Sequence, residues 1–158
     1  MSKKRFKLVA VGGTFDRLHD GHKALLSKAF ECGERVLIGL SGDELVRSKR
    51  RADEISSYSE REKALRDFLK EKGLLNRAEI SKLTSPEGEL LTNALIEALI
   101  VSEETLERAV KINKERMKAG LPSLELVVVP MVKAENGLPI SSTRIRTGRI
   151  DVHGRVIK

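Results

Sequence analysis

The chain's 158 residues are the size of one domain and enough to bury a core, with 40% of them apolar and only 3% aromatic. A formal net charge of +7 favours anionic partners, but the scarcity of stacking rings speaks against single-stranded nucleic acid, so phosphorylated small molecules are expected and nucleic acid is not. No apolar run approaches the ~18–20 residues of a membrane span, Met1-Ser2-Lys3-Lys4-Arg5 lacks the apolar stretch of a secretory signal, and the lone Cys32 permits no internal disulfide, which together imply a cytoplasmic protein with no membrane partner.

Short apolar runs alternate with amphipathic segments along the chain. Lys7-Leu8-Val9-Ala10-Val11 reads as a buried strand ended by Gly12-Gly13. A helix follows over residues 21–32, with Ala24, Leu25, Ala29 and Phe30 on one face and Gly33 in a C-cap position. Val36-Leu37-Ile38-Gly39-Leu40 is the second strand. Ser59 and Glu62 carry the spacing of a capping box and open a helix that runs to about residue 72, before Gly73. Further strands are expected at residues 78–83, 98–101 and 124–129, with a helix over 105–119 that stops at Gly120. Valine-, isoleucine- and leucine-rich strands separated by helices predict an α/β, Rossmann-like, doubly wound parallel five-stranded sheet in a single domain over residues 1–158, its core about 7–150. Residues 47–57, 84–93 and 131–139 break the alternation. Ligands in such sheets sit beyond the carboxyl ends of the strands, so these loops are the expected place for function.

Two stretches carry chemistry. The first, Gly12-Gly13-Thr14-Phe15-Asp16-Arg17-Leu18-His19-Asp20-Gly21-His22, leaves a strand and enters a helix. Backbone N–H groups at that helix start make an anion site. The glycines are expected to turn tightly and to let a ligand approach the backbone. His19 and His22 are three apart, so both imidazoles can face one pocket, where they suit the charge that builds on a phosphate under attack. An isolated histidine is more often a packed or surface residue; two of them in a glycine-containing strand-to-helix loop, beside Thr14 and Asp16, favour the functional reading. The second stretch, Pro139-Ile140-Ser141-Ser142-Thr143-Arg144-Ile145-Arg146, places three hydroxyls and two arginines at a predicted helix start. Hydroxyls there are helix caps in the ordinary case. With two arginines they also form a polyphosphate clamp.

Gly13-Thr14-Phe15-Asp16 followed by His19-Asp20-Gly21-His22 resembles the signature of the HxGH nucleotidyltransferase superfamily, and Ile140-Ser141-Ser142-Thr143 with Arg146 resembles its ISSTxxR motif. The run Val101-Ser102-Glu103-Glu104-Thr105 with Ile112, Asn113 and Arg116 is similar to the archaeal and eukaryotic phosphopantetheine adenylyltransferase family, over about residues 7–150. His19 fits that branch, since the bacterial members carry threonine at the matching place. The resemblance implies reversible adenylyl transfer from ATP to 4′-phosphopantetheine, in coenzyme A biosynthesis, with Mg²⁺ carried on the triphosphate. It implies His22 and His19 at the α-phosphate, Thr14 on the acceptor phosphate, and Lys49 of the basic loop bridging the two. Ser141, Ser142, Thr143 and Arg146 would grip the leaving pyrophosphate, and Gly13, Phe15, Gly21, Ser102 and Glu103 would complete the ATP site. Arg50 and Arg51 read as solvated surface charge. The shared motifs handle the nucleotide and do not name the acceptor. FMN, nicotinamide mononucleotide and glycerol 3-phosphate therefore stand as alternatives, with a nucleic-acid-binding protein further off. Oligomeric state is left open.

Overall fold

The computed structural model describes residues 5–47 and 55–130. Five strands, β1 (Phe6–Gly13), β2 (Gly33–Ser41), β3 (Ala78–Leu83), β4 (Ala98–Ser102) and β5 (Glu125–Val129), pair in parallel in the order β3-β2-β1-β4-β5. This is the expected Rossmann-like sheet, and the direction of strand addition reverses at β1, beside β4. Four helices join the strands: α1 (Asp20–Cys32), the one-turn α2 (Asp43–Val46), α3 (Tyr58–Glu71) and α4 (Leu106–Lys118). Short 3₁₀ turns cover Leu75–Arg77, Gly88–Leu91 and Glu103–Thr105.

Strand residues alternate between two cores because successive side chains point to opposite faces. Val9, Val11, Val36 and Ile38 pack with Leu26, Ala29 and Phe30 of α1 and with Leu65 and Leu69 of α3. Ala10, Leu37, Leu99 and Val101 pack with Ala109 and Ile112 of α4. Both faces are thus covered, and the near-continuous apolar strands follow from that burial. No helix among the described residues is long and apolar enough to cross a membrane.

Several local expectations shift. Gly12 and Gly13 do not make a tight turn: they continue β1, paired with Gly39 and Leu40. The left-handed residues are Phe15 and Arg17, both at φ 48°, an unusual geometry for large side chains. Gly33 is the C-cap of α1, as expected, its N–H donating to the Ala29 carbonyl, but it is extended rather than left-handed and begins β2 directly. The end of α1 is also tied by Arg77, whose Nη2 donates to the Phe30 and Gly33 carbonyls, both at 2.7 Å. The cap of α3 is Ser57 with Glu60, not Ser59 with Glu62. Both pairs have the same spacing, and Arg61, Leu65 and Leu69 face inward along a single stripe of the helix. Gly73 and Gly120 do terminate their helices, at φ 72° and 80°. Each is followed by an N–H that reaches back to the third carbonyl from the helix end: Leu74 to Leu69 and Leu121 to Arg116, both at 2.8 Å.

Candidate active site

β1 delivers the chain to the carboxyl edge of the sheet, and residues 14–19 carry it into α1. His19 is the N-cap of α1. Its Nδ1 accepts the N–H groups of Gly21 at 3.0 Å and His22 at 3.4 Å. His22 Nδ1 accepts the His19 N–H at 3.3 Å in return. Two histidines thus form the reciprocal box usually made by Ser or Thr with Glu. The rings stack, with centroids 3.7 Å apart and planes at 18°. Gly21 is required beneath them: a Cβ there would lie 2.9 Å from His19 Cε1.

This geometry fixes the protonation. A ring nitrogen that accepts a backbone N–H carries no proton, so in each neutral imidazole the proton is on Nε2. Burial pushes the His19 pKa down to about 4, against a smaller upward pull from Asp20. Burial, and then the neighbouring His19, push His22 down to about 3. Both rings are therefore neutral near pH 7, and each is a hydrogen-bond donor through Nε2. His19 is only 5% exposed, whereas His22 keeps part of its surface open. Phe15, 2% exposed, backs His22 edge-on with centroids 5.3 Å apart.

The loop around this pair is held by groups that no motif announced. Arg61 on α3 is buried, and its guanidinium donates to the carbonyls of Thr14 (3.0 Å), Ser41 (2.7 Å) and Ser56 (2.8 Å) and to Asp43 Oδ1 (3.2 Å). The buried Asp16 carboxylate accepts the Ser56 N–H at 3.1 Å. Ser41 Oγ donates to the Gly13 carbonyl at 3.3 Å, joining the ends of β1 and β2. These contacts tie residues 13–16 to the far ends of two other elements. In the sequence Arg61 sits in a run of mixed charges, Glu60-Arg61-Glu62-Lys63, that reads as a solvated face.

Beside the loop a cleft of about 330 Å³ opens between the sheet and α4. Gly12, Gly13, Ser41, Leu83, Leu90, Leu99 and Val101 line it, with Thr105, Arg108, Ala109 and Ile112 from the β4–α4 side. It lies at the switch point where ligands are expected in this architecture. Its far wall, residues 84–93, is held by the fully buried Arg116. Arg116 Nη1 donates to the Leu90 and Asn93 carbonyls at 2.6 and 3.1 Å, and Nε donates to Pro122 at 2.8 Å. Burial lowers its pKa.

Of the residues singled out in the sequence, the structure gathers Gly13, Thr14, Phe15, His19, Gly21 and His22 in one loop and helix start. Ser102 ends β4, and Glu103 is exposed in the turn that follows. Thr105 Oγ1 accepts the Ser102 N–H at 3.1 Å, so this stretch is a helix-entry cap whose last residue lines the cleft. Lys49, Ser141, Ser142, Thr143 and Arg146 lie outside the described residues.

The cytidylyltransferase-like family model matches residues 10–148. The chain belongs to that family. It is 47% identical over 155 residues to the phosphopantetheine adenylyltransferase of Pyrococcus horikoshii, covering 98% of both chains. It is 43% identical over 156 residues to that of Methanothermobacter thermautotrophicus, covering 99% of this chain and 93% of the other. Within the family's fold, a solved structure of a protein of unknown function from Archaeoglobus fulgidus superposes with a TM-score of 0.70. It is 36% identical and spans 78% of this chain and 89% of that one.

Proposed function

We propose that the chain is an adenylyltransferase that moves AMP from Mg·ATP to the phosphate of 4′-phosphopantetheine, reversibly, giving dephospho-coenzyme A and pyrophosphate in coenzyme A biosynthesis. The observation that carries this reading is the pair of neutral, reciprocally capped histidines at a helix start, set beside a mostly apolar cleft. The relatives' names point to the same reaction. The cleft suits the long, weakly polar arm of the acceptor, and the adjoining loop suits its phosphate.

An oxygen of the acceptor phosphate attacks the α-phosphorus and forms a new P–O bond. The bond from the α-phosphorus to the bridging oxygen breaks, and that electron pair leaves on pyrophosphate. A phosphate monoester has a second pKa near ~6, so the nucleophile is already an anion at neutral pH and needs no general base. The histidines fit this requirement, since neutral rings with pKa values of about 3 and about 4 are weak bases and remain N–H donors. The work left to the protein is alignment and charge stabilisation. His22 is assigned to the α-phosphate through Nε2–H, and His19 supports it by capping and stacking. Thr14 is assigned to the acceptor phosphate and Lys49 to the bridge between the two. Ser142, Thr143 and Arg146, with Ser141, are assigned to the pyrophosphate. Gly13, Phe15, Gly21, Ser102 and Glu103 are assigned to the surroundings of ATP. Mg²⁺ enters with the triphosphate as part of the substrate and is held mainly by phosphate oxygens and water. The whole chain, residues 1–158, is taken as one domain devoted to this reaction, acting in the cytoplasm without nucleic acid or membrane partners.

The test is product analysis with ATP, Mg²⁺ and 4′-phosphopantetheine, against parallel mixtures with FMN, nicotinamide mononucleotide, and glycerol 3-phosphate plus CTP. Dephospho-coenzyme A and pyrophosphate from the first mixture alone are expected. Product from a different mixture would overturn the acceptor while keeping the chemistry.

A further inference from the structure

Leu83 is the last residue of β3, yet its side chain reaches back across the neighbouring strands. A Cβ on Gly39 would lie 2.8 Å from Leu83 Cδ2, one on Gly88 2.4 Å from the same atom, and one on Gly12 3.8 Å from Cδ1. The isobutyl group therefore lies where bare backbone at Gly39 and Gly88 leaves room for it. Its own backbone is fixed as well, because the Leu83 carbonyl accepts the Gly42 N–H at 2.8 Å. The same side chain borders two solvent-open spaces, the 330 Å³ cleft and a smaller one of about 40 Å³ that reaches Leu37 and Gly39, with Gly12, Pro86, Leu90 and Leu99 shared between their walls.

We infer that Leu83 is a specificity-determining residue for the acceptor, the side chain between the two spaces that keeps its tail in the larger cleft and selects a free thiol end over an S-substituted one. The inference rests on the acceptor reading given above. Gly39 and Gly88 face Leu83 with bare backbone and have no side chain to fill the space when it is shortened, so the two spaces would merge. Apolar fit of this kind discriminates between ligands by roughly 10–200-fold.

The experiment measures kcat/KM of the full chain for 4′-phosphopantetheine and for its S-methyl and S-benzyl derivatives, with wild type and Leu83→Ala. Wild type is expected to prefer the free thiol over the S-benzyl derivative by at least ~10-fold. Leu83→Ala should reduce that preference at least ~10-fold, with the KM for ATP within about twofold of wild type. If Leu83→Ala does not fold, Leu83→Val is read in its place, with a smaller change in the same direction. A folded variant with an unaltered preference overturns the inference, as does a wild type that accepts both ends equally. A wild type that makes no dephospho-coenzyme A at all overturns the acceptor reading, and this inference with it. Product formation with an unaltered preference sinks the role of Leu83 alone.

Discussion

At the scale of single residues, the proposed mechanism gives His22 two duties on two atoms. Nδ1 accepts the His19 N–H at 3.3 Å and closes the cap, while Nε2 is the atom assigned to donate to the α-phosphate. An asparagine places its side-chain oxygen near the position of Nδ1 and has nothing at Nε2. His22→Asn should therefore keep the thermal midpoint close to that of wild type while lowering kcat about 10²-fold, the scale for losing one transition-state donor. Near-normal turnover in a folded His22→Asn enzyme would remove His22 from the chemistry.

The same pair predicts a pH effect. Both folded pKa values are depressed, to about 4 and about 3, from an ordinary value of 6.5. As pH falls through 6.5 the unfolded chain takes up protons at these sites and the folded chain does not. Stability held above pH 6.5 is therefore lost progressively down to about pH 4–3. Denaturant midpoints at pH 7.5 and 5.0 should differ more for wild type than for a His19→Asn, His22→Asn double variant. Equal pH dependence of the two proteins would mean that the histidines titrate normally.

At the scale of elements, the helix ends separate what a sequence can say from what it cannot. Gly73 and Gly120 were legible as stops because a left-handed residue has a local signature. A Cβ at either would meet nothing within 4 Å, so the requirement is purely conformational. Gly73→Ala and Gly120→Ala should each destabilise the fold by about 1–2 kcal/mol in denaturant titrations, and a neutral result would contradict the left-handed cap. The end of α1 was legible only in part. Gly33 is its C-cap but is extended, and the carbonyls there are satisfied by Arg77, 44 residues further along the chain.

Arg61 is a second case. It ties Thr14, Ser41 and Ser56 through their carbonyls, and nothing in a run of alternating charges marks it as buried. Strand identities and helix spacings are local properties and were readable. Carbonyls satisfied across the fold are long-range, and a single sequence holds no sign of them. Arg61→Lys keeps the charge but loses the planar fork that reaches several acceptors at once. It should cost about 3 kcal/mol of stability, the lower end for breaking a buried polar pair, and slow turnover through the loosened 14–19 loop. A lysine variant with wild-type stability would show that the carbonyls find other donors.

At the scale of the whole molecule, the basic charge is not spread evenly. Residues 5–47 and 55–130 together hold nineteen of the 30 Lys and Arg and nineteen of the 23 Asp and Glu, so this part of the chain is formally neutral. The entire surplus of +7 belongs to residues 1–4, 48–54 and 131–158. Two of those three segments contain further residues assigned to phosphate groups, Lys49 in one and Ser141 to Arg146 in the other, beyond Thr14, His19 and His22 in the neutral part. The surplus along the chain thus coincides with two of the segments proposed to meet phosphate. That leaves open whether an individual lysine acts through the summed field or through contact, and Lys49 and Arg50 can separate the two. Each carries one charge and they are adjacent, so Lys49→Gln and Arg50→Gln change the long-range field equally. If only the field matters, both should raise the KM for the acceptor by the same small factor, and both effects should fade in salt as screening shortens the reach of charge. If Lys49 bridges the acceptor phosphate and the α-phosphate, its variant alone should also lower kcat, by about 10²-fold, and that loss should persist at high salt. We expect the second pattern, with Arg50→Gln within about twofold of wild type at moderate ionic strength. Matching losses in the two variants would return Lys49 to the surrounding surface charge.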